Sequence, residues 1–198
     1  MVRPERDRLS GWIEVDETYF GGLEEGRDGR GTVDKVLITV AAQAQGSGIG
    51  RVRMRVVPDA SATSLHGFVN DVIAPGSTVH TDAWPGYCGL KKAGYDHEVT
   101  RRGRDPRNAA KLLPRVHRVI SLLKRWILGT HQGGISPQHM EYYLDEFTFR
   151  FNRRKSASRG KLFFRLIEQA LATPPEPYKI VVHGGKAQKS QPLHIGVS

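Results

Sequence analysis

The sequence predicts an α/β protein in which a mixed sheet is flanked by helices and followed by a helical C-terminal part. Three observations predict it. Apolar and polar side chains alternate along residues 12–20 and 51–57, the period of a half-buried strand. Residues 35–45 are β-branched and mostly apolar, as in a strand covered on both faces. Beyond residue 60 the apolar period lengthens to that of helices and dominates the second half of the chain.

The first strand, 12–20, follows a Ser10-Gly11 break; Ile13 and Val15 face one way, and Glu14, Asp16 and Thr18 the other. Alternation sets Glu17 opposite Asp16, in a structural role. The run Gly21–Gly31 holds five glycines and reads as a flexible loop. Residues 46–50 read as a hairpin turn between the second strand and the third, whose Arg51, Arg53 and Arg55 make one polar face. Leu65, Phe68, Val69, Val72 and Ile73 predict a helix over 61–74, opened by Ser61 and stopped by Pro75-Gly76. A short strand, 77–82, runs into a Trp84-Pro85-Gly86-Tyr87 turn, and 96–101 form another strand. A helical pattern spans 107–129, with Pro114 expected to break or restart it. Ser136-Pro137 opens a helix to about Asn152, with Met140, Tyr143, Leu144, Phe147 and Phe151 on one face. A last helix covers 159–172. The expected division is a lead over 1–10, one domain over 11–172 and a disordered tail over 173–198.

Composition narrows the function. The 198 residues carry 30 Lys+Arg and 20 Asp+Glu, for a formal charge of +10. No apolar run approaches the roughly 18 residues of a membrane span. The first twenty residues lack an apolar signal core, and the single cysteine excludes a disulfide framework, so a cytoplasmic setting is expected. Residues 1–100 hold 11 basic and 14 acidic side chains, whereas 101–198 hold 19 and 6. That asymmetry points to a polyanion partner, nucleic acid in the simplest case.

Two acidic positions stand out. Asp16 sits within a strand, and Asp82 ends one; ligands collect at strand ends in open sheets flanked by helices. Carboxylates brought together there repel unless a cation neutralises them, and an oxygen-rich pair suits Mg²⁺ or Mn²⁺. The alternative is an exposed strand residue and a turn cap.

Three blocks carry a resemblance. Gly11-Trp12-Ile13-Glu14-Val15-Asp16-Glu17-Thr18-Tyr19-Phe20-Gly21-Gly22 resembles the first catalytic strand of bacterial insertion-sequence transposases of the DDE type, most closely the ISXO-two-like group. His80-Thr81-Asp82-Ala83-Trp84-Pro85-Gly86-Tyr87 is similar to that group's second motif. Ser121-Leu122-Leu123-Lys124-Arg125-Trp126 and Tyr143 through Arg154 are similar to the third, in the same order. The resemblance covers about residues 10–170. It implies an RNase H-like fold, two Mg²⁺ or Mn²⁺ ions held by an acidic triad, and metal-assisted cleavage and transfer of DNA strands. The third acid of the family lies seven residues before a lysine. Seven before Lys124 is His117, which is also 35 residues after Asp82. An imidazole there supplies one nitrogen ligand or a general base, or is a DNA-facing helix histidine without catalytic duty.

The resemblance further implies DNA partners, both transposon ends and target, and a homodimer or higher oligomer on DNA. Arg115, Arg118, Lys124 and Arg125 along the presumed catalytic helix are phosphate contacts in this reading, Lys124 at the transposon end. A second cluster with Arg153 and Arg154 holds target or flanking DNA, or is a solvated helix end. Trp84 and Trp126 either pack or stack on a flipped base. The zinc ribbon usual in the group needs cysteines this chain lacks. Two other readings therefore stand beside the transposase core: a truncated or inactive DNA-binding relic, and an RNase H-like nuclease.

Overall fold

The computed structural model describes residues 6–21, 35–101, 112–131, 137–158, 160–172, 175, 177 and 178. Five strands, β1 (Trp12–Phe20), β2 (Val36–Gln45), β3 (Gly48–Val57), β4 (Thr78–Asp82) and β5 (Asp96–Thr100), form one sheet in the order β3-β2-β1-β4-β5. β2 runs antiparallel to β1 and β3, while β4 runs parallel to β1 and β5. The helices are α1 (Ala62–Val72), α2 (Pro114–His131), α3 (Met140–Asn152) and α4 (Gly160–Leu171). A three-stranded meander extended by parallel strands across β1, with helices on both faces, is the mixed sheet that the sequence predicts, in the strand order expected of an RNase H-like fold.

Each element follows the local pattern, with three adjustments. β3 begins at Gly48, earlier than expected, because Gly46 at φ +55° permits a tight reversal after Gln45. Pro114 restarts rather than breaks a helix: it is the first residue of α2, where its missing N–H costs nothing. A 3₁₀ turn, Pro137–His139, precedes α3. The expected helical stretch 107–111, the loop beyond Gly21 and almost all of the 173–198 tail lie outside the described residues.

The two faces of the sheet bury separate cores. Ile13 and Val15 pack with Leu65, Phe68 and Val69 of α1 and with Tyr87. On the other face Ile38, Val40 and Ala42 of β2 meet Val116, Val119, Leu123 and Ile127 of α2 and Leu144, Phe147 and Phe151 of α3. Both faces of β2 are covered, as its unbroken apolar run predicts.

β3 is an edge strand, and α3 covers it with two side chains. Glu141 Oε1 accepts from the Val56 amide at 2.9 Å. Asn152 Oδ1 accepts from the Val52 amide at 2.7 Å, and its Nδ2 donates to the Val52 carbonyl at 3.1 Å. A carboxamide thus stands in for the next strand's backbone and closes the edge. α4, by contrast, has no buried residue, and Phe163, Phe164 and Leu171 on it are exposed.

Two predictions follow from α3. Asn152→Asp keeps the acceptor and sets a carboxylate against the Val52 carbonyl; it is expected to cost about 2 kcal/mol in urea unfolding. Burial pushes the Asp145 carboxyl up to about 6, with Arg6 opposing and Glu141 adding to the rise. The folded value lies above the unfolded one, so its contribution is fully present below about pH 4 and is lost as pH rises towards 6. Asp145→Asn removes that loss. The melting temperature of the variant relative to wild type should fall when pH is lowered from 7 to 5.

Candidate active site

Glu14 sits on the α2 face of β1 with a side chain only 1% exposed. Its Oε2 accepts from the backbone amides of Arg115 at 2.7 Å and Val116 at 3.0 Å, and its Oε1 pairs with Arg115 Nη1 at 3.0 Å. Pro114 supplies no amide, so one carboxylate serves the next two orphan donors and the positive end of the helix dipole. The first turn of α2 has no acid of its own. Arg115 also donates to the carbonyls of Gly46 and Gly48, which fastens the helix start to the β2–β3 turn.

This anchor sets the next residues. Asp16, two along β1 and on the same face, has its Oδ2 at 3.6 Å from His117 Nε2, two along α2 from Arg115. That is an ion-pair distance, longer than a hydrogen bond. Trp12, Ile13 and Glu14 pair in parallel with Thr78, Val79 and His80. The pairing ends there; Asp16 lies two residues beyond it on β1, and Asp82, two beyond His80, is the last residue of β4. Asp82 Oδ1 accepts from the Trp84 amide at 2.9 Å, which holds the carboxylate at the strand end.

Glu17 points to the opposite face, as alternation predicts, but it is not isolated from the pair. Its Oε2 accepts from the Tyr87 hydroxyl at 2.6 Å. Burial raises its carboxyl above the usual range; the tyrosine bond opposes this, and the charges of Asp16 and Asp82 add to it. Tyr87 is buried, and desolvation with the same three carboxylates pushes its hydroxyl up as well. The Glu17 carboxyl and the Tyr87 hydroxyl thus both feel the charges of Asp16 and Asp82.

Gly86 explains the turn that seats Tyr87. A Cβ there would lie 2.6 Å from the Ala60 carbonyl and 2.8 Å from both Leu65 Cδ1 and Trp84 Nε1. Trp84 donates its indole N–H to the same Ala60 carbonyl at 2.8 Å, so this indole braces the turn. Trp84 is 46% exposed all the same.

The ISXO2-like transposase domain model matches residues 8–152. The chain belongs to that family. Two solved structures are similar at lower levels. The catalytic core domain of BIV integrase is 16% identical, with 82% of this chain and 97% of that chain covered and a TM-score of 0.45. A simian T-cell lymphotropic virus intasome, solved in complex with PP2A regulatory subunit B56 gamma, is 14% identical, covering 96% of this chain and 63% of that chain at a TM-score of 0.47. No curated protein matches the sequence.

In this transposase domain the arginines read together from sequence fall into separate places. Lys124 Nζ lies 5.8 Å from the Phe20 ring centre, beside the end of β1. Arg115 is consumed by Glu14 and the hairpin carbonyls. Arg118 and Arg125 face a groove between α2 and α3. Arg154 stacks on Phe151 at 3.9 Å and donates to the Ile49, Gly50 and Phe151 carbonyls. Arg153 stacks on Phe149 at 3.9 Å. Trp126 packs against His131 and Phe147 while lining that groove.

Sequence reasoning passed over Glu14 and Tyr87. The signal for Glu14 was present: an acid on the Asp16 face of β1, and a Pro-Arg helix start without an acid to complement it.

Glu14→Gln removes the charge that Arg115 and the helix start require. It should cost about 3 kcal/mol in urea unfolding.

Proposed function

We propose that this domain cleaves DNA strands and transfers them, with Asp16, Asp82 and His117 as the catalytic set. The observation that supports it best is an imidazole 3.6 Å from Asp16, delivered by α2 to a strand that pairs in parallel with the one Asp82 ends. Membership of the transposase family adds that the substrate is DNA.

The donor chemistry fits a divalent cation. Asp16 and Asp82 crowd their charges onto Glu17, whose carboxyl is raised in consequence of burial and of those neighbours. Asp16 and Asp82 would hold Mg²⁺ or Mn²⁺ through oxygen, with His117 as a nitrogen donor. Among the described residues no three His, Cys, Asp or Glu are already arranged as a metal-binding group. When bound, such ions lower the pKa of the attacking water or 3′-hydroxyl and stabilise the leaving oxygen.

The side chains of this chain do the rest. Asp82 is held by the Trp84 amide through one oxygen, which leaves the other for a ligand. His117, if not engaged as a ligand, takes the proton from the attacking hydroxyl, and Asp16 orients its ring. Lys124 beside Phe20 contacts phosphate near the cleavage point. A second reading, a DNA-binding relic without cleavage, draws on the Asp16–His117 pairing, which occupies a carboxylate oxygen.

Duplex DNA carrying the cognate terminal repeat decides between them. Asp16→Asn and Asp82→Asn are each expected to lower Mn²⁺-dependent cleavage by about a thousandfold. Asparagine at 82 keeps the acceptor for Trp84, so that variant stays folded. Retained activity in either would sink the assignment, and a wild-type protein that binds but never cuts would favour the relic. His117→Glu should shift the preference from Mn²⁺ towards Mg²⁺. Full Mg²⁺ activity in His117→Ala would remove both roles given to the imidazole.

A further inference from the structure

On the flank of α2 turned away from Asp16, α2 and α3 enclose an open groove of about 1020 Å³ above the β2–β3 turn. Its floor is apolar, formed by Ile49, Leu122, Trp126, Phe147 and Phe151. Its rim is cationic, with Arg118, Arg125, Arg150 and Lys155 among the lining residues. Arg150 is paired with Glu146 at 2.7 Å. Arg118 and Arg125 are exposed and have no hydrogen-bond or ion-pair partner among the described residues. They stand seven residues apart on α2, two turns or about 10 Å along its axis.

Charge selects the occupant. A rim of this sign repels α4 of a second copy, whose Lys161 and Arg165 outnumber its Glu168. A polyanion satisfies the rim, but duplex DNA keeps its bases paired and stacked, and offers the apolar floor nothing. An unpaired strand offers both phosphates and the open faces of its bases. We propose that the α2–α3 groove binds an unpaired DNA strand. Arg118 and Arg125 hold its phosphates, and its bases lie on the floor made by Leu122 and Trp126. The inference rests on DNA being the substrate and adds to that reading a second DNA site, separated from Asp16 and Asp82 by the body of α2.

Fluorescence anisotropy in EDTA tests it without chemistry. The probes are a labelled mixed-sequence strand of about twenty nucleotides, the same strand with abasic residues, and the blunt duplex. Wild type should bind the normal strand at least fivefold tighter than the abasic one. Arg118→Glu combined with Arg125→Glu should weaken single-strand binding at least tenfold and duplex binding less than threefold. Folding of the double variant is checked by its melting temperature, since both side chains are exposed. A milder pair, Arg118→Gln with Arg125→Gln, should lower the log–log salt slope for the single strand by about 1.4, two phosphates' worth. Equal losses on strand and duplex, or an abasic strand bound as tightly as the normal one, would overturn the proposal. A wild-type protein that cuts terminal-repeat duplex with Mn²⁺ yet shows no single-strand preference overturns the groove and leaves the cleavage reading standing. Single-strand binding that is lost in the variant while no cleavage occurs does the reverse.

Discussion

A buried carboxylate is tolerable only when its charge is answered, and Glu14 is answered by the start of α2. Two backbone amides and one guanidinium converge on it, within 3.0 Å each. Water is excluded there, so these bonds carry the full cost of any displacement. The consequence is positional. α2 begins where Glu14 stands, and a shift of one residue would rotate the helix by about 100° and swing His117 off the Asp16 side. The Asp16–His117 approach, the course of the groove on the opposite flank and the seat of Lys124 by Phe20 all descend from that one anchor.

The same economy appears on the far side of the sheet and at its edge. Tyr87 reaches Glu17 because Gly86 lets the turn after β4 press against Ala60 and Leu65. Asn152 ends α3 against Val52 and leaves Arg153 and Arg154 to stack on phenylalanine rings rather than project freely. Polar residues in the three sequence blocks thus divide between holding the scaffold and facing the cleft. Membership of a motif does not say which.

Much of the fold was legible in the residues themselves. The alternation along residues 12–20 set Glu14 and Asp16 on one face and Glu17 on the other, and the structure keeps that division. The apolar run of residues 36–42 announced a strand covered on both sides, which β2 is. Pro114 was ambiguous between breaking and restarting a helix, because its effect depends on whether the preceding turn exists. Glu14 was read only as a facing residue, since its partners lie 101 and 102 positions away. Asn152, 100 positions from Val52, was hidden for the same reason.

What the sequence determined alone is whatever depends on near neighbours: the periods of strands and helices, the face each side chain takes, the excess of positive charge in the second half, and the three ordered blocks that mark a transposase domain. Tertiary structure decided which of those side chains meet. It paired β1 in parallel with β4, the strand that Asp82 ends, and set His117 beside Asp16 through the Glu14 anchor. It also divided one run of basic residues between the edge of the cleft, the backbone of a hairpin and an open groove. Periodicity is a local property of the chain. Pairing across 70 to 100 residues is settled by register and packing, which no local pattern encodes.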